Sequence, residues 1–161
     1  MALKRTGGDL KILAVDQGTK TGFYTGTISG VNVFDVKRGE SPGMRFLRFK
    51  HWLNEIYGLM GGIDVIVYEQ AHHRGGAATQ VAVGMVTHML SFAAEKDIEI
   101  YPVHSGTLKK YATGKGNAGK DEMIRAAIDR GFNPRDDNEA DAVLLWKYAV
   151  DHLVVLKNGG K

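Results

Sequence analysis

Apolar positions along this chain follow two periods, and the switches between them outline the elements. Residues 10–16 (LKILAVD) are apolar almost throughout and end in Asp16, the pattern of a buried strand. Residues 22–28 and 31–36 predict two further strands, with Ser29-Gly30 between them as a two-residue hairpin turn. Pro42 and Gly43 open a helix to about Tyr57, with Phe46, Phe49, Leu53 and Ile56 on one stripe. Residues 63–69 (IDVIVYE) form a second buried run ending in a carboxylate, Glu69. A long helix follows over 77–95 with two apolar stripes: Val81, Met85, Met89 and Phe92 on one, Val83, Val86, Leu90 and Ala93 on the other. Two stripes predict burial against two surfaces.

A short strand over 98–103 precedes a helix from about Ser105, the glycine-rich stretch 113–119, and a helix over 121–130. Asp136, Asp137 and Asn138 offer caps for a last helix to about Leu156. The order is β-β-β-α-β-α-β-α-α-α. A meander followed by alternating helices and strands predicts an α/β fold: a mixed five-stranded sheet with helices on its faces. The length of 161 residues fits one domain, with an ordered core of about 10–156 and frayed, Gly- and Lys-rich ends.

Three carboxylates change the picture from fold to chemistry. Asp16 and Glu69 close strands, and Asp141 lies in the first turns of the last helix. Phosphodiester hydrolysis with paired Mg²⁺ ions needs such a set, because hard cations take oxygen ligands and must be held about 3.5–4 Å apart. Rigid strand ends hold that spacing better than loops. Asn138 and Asp137 lie three and four residues before Asp141, on its helix face, so either is a candidate further ligand and either a candidate N-cap.

Composition narrows the classes. Hydrophobic residues make up 43% and charged residues 24%, as in an ordinary globular protein. With no cysteine, disulfides and thiolate metal sites are excluded. A formal net charge of +3 permits a polyanionic partner. Arg74, Lys109, Lys110, Lys115, Lys120, Arg125 and Arg130 fall around the proposed site or the glycine-rich stretch, where cations track phosphates. His72-His73 invites a metal reading, but adjacent strand residues point apart, which disfavours joint chelation; the small-residue loop they open, with His72, His73 and Arg74, is a candidate DNA contact because it could approach a backbone closely. No apolar run reads as a bilayer span and the first ten residues lack a signal-peptide core, so the expected location is the cytoplasm, without a membrane partner.

Four motifs resemble one family. Residues 12–22 (ILAVDQGTKTG) look like the opening motif of RuvC-type Holliday-junction resolvases, of the ribonuclease H-like nuclease superfamily. Residues 66–70 (IVYEQ) resemble their second motif, 113–120 (TGKGNAGK) their glycine-rich loop ending in lysine, and 139–142 (EADA) their terminal motif. The resemblance runs from about Leu10 to Ala149. It implies a ribonuclease H-like sheet with helices on both faces, two Mg²⁺ ions (Mn²⁺ as substitute) on Asp16, Glu69 and Asp141, and Lys120 near the scissile phosphate. The family ligand three residues before the last aspartate is Asp or His; Asn138 stands there, with Asp137 as the alternative. The family's base-stacking aromatic is replaced by His72. The implied partners are branched DNA (four-way junctions, with forks and flaps open) and a second copy of the chain, paired through the long second helix. The compact size suits a bacterial or bacteriophage member.

Three rival readings carry their own residues. Gly114–Lys120 matches the G-x-x-x-x-G-K phosphate loop, but Asp121 replaces the Ser or Thr that follows it and no strand is predicted before it. Asp16-Gln17-Gly18-Thr19 resembles the phosphate loop of actin-like sugar kinases, which need two domains to close a nucleotide cleft. Asn138 leaves open a non-catalytic protein that binds branched DNA without cutting it.

Overall fold

The computed structural model describes residues 10–70 and 75–153. Five strands form one sheet: β1 (Ile12–Asp16), β2 (Lys20–Tyr24), β3 (Ser29–Val33), β4 (Val65–Gln70) and β5 (Glu99–His104). Their order across the sheet is β3-β2-β1-β4-β5. The meander β1-β2-β3 pairs antiparallel, whereas β4 and β5 run parallel to β1. The helices are α1 (Met44–Met60), α2 (Ala77–Lys96), α3 (Ser105–Thr113), α4 (Lys120–Asp129) and α5 (Asp137–Tyr148), the last running into a π-helical turn over Ala149–Leu153. The expected mixed sheet with helices on both faces is what the chain forms.

Strand alternation sorts the core into two layers. Ile12, Ala14, Val65 and Val67 face α3, α4 and α5. Leu13, Val15, Ile66 and Tyr68 face α1 and α2. The central strands are therefore apolar on both faces, which explains their unbroken hydrophobic runs. Period-two alternation carries one step further: Asp16 and Glu69 fall on the same face as Ile12 and Val65, toward α5.

Two expectations need correction. The hairpin turn lies at residues 25–28, not at Ser29-Gly30. Thr25 N–H donates to the Ile28 carbonyl (2.9 Å), the Thr25 hydroxyl accepts from Ile28 N–H (2.9 Å), and Gly26 takes a φ of 96°. Gly30 instead pairs with Phe23 inside the ladder. A left-handed glycine with hydroxyl support on both sides makes the better corner. Second, the second stripe of α2 is split: Ala93 is buried and Val86 half-buried against the core, but Val83 and Leu90 turn outward. Met85, Met89, Phe92 and Ala93 pack inward, whereas Val83 and Leu90 are 43% and 46% exposed. This helix is also, by length and composition, apolar enough to cross a bilayer, contrary to the sequence expectation. Its inner face is packed on the sheet and α1.

Candidate metal centre

Asp16 and Glu69 meet because of strand register. Val15 lies opposite Tyr68 in the parallel β1–β4 pair, so one residue further on places Asp16 beside Glu69. Both carboxylates point to the face covered by α5. What brings α5 down onto them is Gly22. It pairs with Asp16 across β1–β2, and a Cβ on it would run into the carbonyl of Asn138. Only glycine lets the start of α5 lie this close to the sheet. Small and apolar residues on the same helix, Ala140, Leu144 and Leu145, continue the contact. The Trp146 indole donates to the Ile12 carbonyl (3.1 Å) and fixes the far end.

The first turn of α5 is pinned twice more. Asp136 is the N-cap, accepting from Glu139 N–H (2.9 Å). Glu139 is buried, accepting from the Ser29 hydroxyl (2.7 Å) and Arg135 N–H (2.9 Å). With Asp136 as cap, Asp137 and Asn138 need not serve as one. The Asn138 amide engages Asp136 (3.3 Å). The Asp137 carboxylate acts electrostatically on both Asp16 and Asp141.

Carboxylate oxygens of Asp16, Glu69 and Asp141 lie within 4.8 Å of one another. Such crowding disfavours ionisation. Burial first, then the charges of Glu69 and Asp141, hold Asp16 well above the usual carboxylate range. Burial, then Glu69 and Asp137, push Asp141 up to about 8, against the pull of the Lys109 ammonium. One oxygen of Asp141, Oδ1, is buried with no hydrogen-bond partner. An orphaned buried oxygen, mutual repulsion and an all-oxygen donor set are together what a hard divalent cation would relieve.

The cations divide. Lys120, the first residue of α4, sits at the rim with Nζ 3.5 Å from Asp137. Lys109, expected only as a DNA contact, stands near Asp141. Lys110 is exposed on α3, and Lys115 is exposed with Glu122 at 4.0 Å. Arg125 pairs with Asp129 one turn further along α4 (3.1 Å), and Arg130 donates to the carbonyls of Ala112 and Ala126, tying the end of α4 to α3. His72, His73 and Arg74 lie outside the described residues. The glycine-rich stretch follows α3, not a strand, which removes the phosphate-loop reading.

Sequence reasoning missed Gln17. Its Nε2 donates to the Glu69 carbonyl (2.6 Å), tying together the strand ends that carry Asp16 and Glu69. It also missed why Gly22 and Glu139 matter. Gln17 and Glu139 stood inside the quoted motifs, but nothing in their spacing revealed partners 52 and 110 residues away.

No protein-family model matches the sequence, and no curated protein matches it. Solved structures do. Thermus thermophilus RuvC in complex with a Holliday junction substrate superimposes with a TM-score of 0.71 at 19% identity, covering 93% of this chain and 96% of that one. A second Thermus thermophilus RuvC structure gives 0.69 at 20% identity, covering 93% and 97%. The chain therefore has the ribonuclease H-like α/β fold seen in the Thermus thermophilus RuvC structures, with an acidic triad of its own where two parallel strands meet a helix.

Proposed function

We propose that the protein is a divalent-metal-dependent endonuclease that cuts branched DNA, resolving four-way junctions by paired nicks. The carrying observation is the meeting of Asp16, Glu69 and Asp141 within 4.8 Å on this fold. Its support is that the similar RuvC structure holds a Holliday junction substrate.

Asp16, Glu69 and Asp141 would hold Mg²⁺ or Mn²⁺. Asp137, a carboxylate whose charge acts on both Asp16 and Asp141, is the better further ligand than Asn138, which offers only an uncharged amide oxygen. When bound, the cations activate a phosphodiester toward attack by water. The chain's own residues do the rest. Gln17, Gly22 and Glu139 hold the three carboxylates in place. Lys120 brings positive charge to the rim, where it offsets charge growing on the phosphate. Lys109 favours the ionised, ligating form of Asp141. Lys110 and Lys115 extend a basic surface from the site along the phosphates. The product would carry a 5′ phosphate and a 3′ hydroxyl that a ligase can rejoin.

Two copies paired through the exposed stripe of α2 would present two sites to two strands, which paired nicks require. Such a protein works in the cytoplasm, on chromosomal or phage DNA.

The deciding experiment sets labelled four-way junction, fork and linear duplex against the protein with Mg²⁺ or EDTA, beside Asp16→Asn. Metal-dependent nicks in the junction, lost by at least about 10³-fold in the variant while binding persists, are expected. Cutting by Asp16→Asn would sink the assignment. Junction binding without cutting under Mg²⁺ or Mn²⁺ would establish the non-catalytic reading instead.

A further inference from the structure

The acidic triad accounts for one phosphate, but a DNA backbone crossing it must leave in two directions. One leads over α3 and α4, past Lys109 and Lys120. The other crosses the end of the sheet toward β2 and β3. There the chain passes from β3 to α1 through residues 34–43, and this segment is built rather than loose. Phe34 N–H donates to the Thr19 carbonyl (2.7 Å), joining the loop to the turn after Asp16. Arg45 Nε donates to the Phe34 carbonyl (2.7 Å), and Arg48 to the Asp35 carbonyl (2.9 Å). Arg48 also grips both oxygens of Glu40, whose Oε2 accepts from Lys37 N–H (2.8 Å). That guanidinium holds the Glu40 carboxyl down at about 2, so the clamp is charged at any working pH.

The clamp has a consequence for charge. Glu40 is gripped by Arg48 and feels the Lys37 charge as well; Lys37 and Arg38 are both exposed at the tip, with Asp35 as the loop's one exposed carboxylate. Lys20 is exposed at the start of β2, where it pairs with Val33, the residue before the loop. All three cations stand at the sheet end that carries Asp16. β3 lies two strands from β1, about 10 Å at ordinary strand spacing. Each strand presents a phosphate for about every 3.4 Å of helix axis, so a backbone held at Asp16 passes this loop within its next few phosphates.

We infer that the β3–α1 loop is a second DNA contact, in which Lys37 and Arg38, with Lys20 beside them, take backbone phosphates of the arm leaving the active site. The clamp of Arg45, Arg48 and Glu40 pre-orders the loop, so binding costs little ordering entropy. Phosphate contacts of this kind fix register without reading sequence.

This inference rests on the proposed DNA substrate, and its test separates the two. Affinity for a labelled four-way junction is measured by fluorescence anisotropy at several salt concentrations for the wild type, Lys37→Ala/Arg38→Ala, and Lys50→Ala as a control on α1. The double variant is expected to bind about tenfold more weakly, with the log–log salt slope smaller by about two. Its single-turnover cutting rate at saturating junction and its melting temperature should match the wild type. Unchanged affinity and slope in the double variant, or an equal loss in Lys50→Ala, would overturn the loop assignment. If the wild type binds the junction but does not cut it, the nuclease reading fails alone, and the slope comparison still decides the loop.

Discussion

Asp141 carries a clear consequence of crowding. Its carboxyl is pushed up to about 8 from an ordinary 3.8. A carboxyl with a raised folded pKa binds its proton more tightly in the folded state. Its contribution to stability is present in full below about 3.8 and is lost as pH rises toward and through about 8. Asp16 shifts in the same direction. The metal-free protein should therefore lose stability between about pH 4 and pH 8, and Asp141→Asn should flatten that loss. In EDTA near pH 8 the variant should melt higher than wild type, by about 2–4 °C for each kcal/mol of repulsion removed. Mg²⁺ or Mn²⁺ should raise the wild-type melting temperature more near pH 8 than near pH 5, because protons and metal compete for the same oxygens. An Asp141→Asn variant with the wild-type pH profile in EDTA would show that the triad is not a repulsive cluster.

Among the elements, α5 matters most, and its seating depends on a contact no motif describes. Gly22 admits the Asn138 carbonyl where any side chain would collide with backbone, which cannot swing aside as a flexible side chain can. Gly22→Ala should cost about 3 kcal/mol in urea unfolding, toward the upper end for overpacking. Metal-dependent cutting should fall further than the lost stability explains, because Asp137 and Asp141 ride on the displaced helix. Equal stability and activity in that variant would mean that α5 is not held by this approach. In the sequence Gly22 only closed the opening motif and began a strand; its reason stayed hidden, because it belongs to a contact between residues more than a hundred positions apart. The hairpin shows the same limit. Ser29-Gly30 satisfied a turn rule locally, yet Gly26 took the corner and Gly30 joined the ladder.

For the whole molecule, the open question is the face left by α2. Val83 and Leu90 are exposed beside the buried Met85, Met89 and Phe92. The proposed homodimer uses this stripe, and paired nicks need it. Val83→Glu with Leu90→Glu should give a monomer by light scattering that still nicks single strands but no longer cuts both in one binding event. A dimer that survives the double substitution would place the pairing surface elsewhere.

Much of this protein was readable before any coordinate. Local patterning, which depends only on neighbours two to four residues apart, disclosed the strands, the helices and the mixed sheet. The carboxylates Asp16, Glu69 and Asp141 stood out because each ends or opens a regular element. Folding decided what depends on distant partners: that Asp136 caps α5, that the charges of Asp137 and Lys109 both bear on Asp141, and that Gln17 joins two strand ends. It also decided that Arg130 ties the end of α4 to α3 while Lys37 and Arg38 are exposed at the sheet end. Sequence spacing reports periodicity within an element. Charge, burial and ligand geometry at a site are properties of elements brought together, and they exist only once register and packing have fixed which side chains meet.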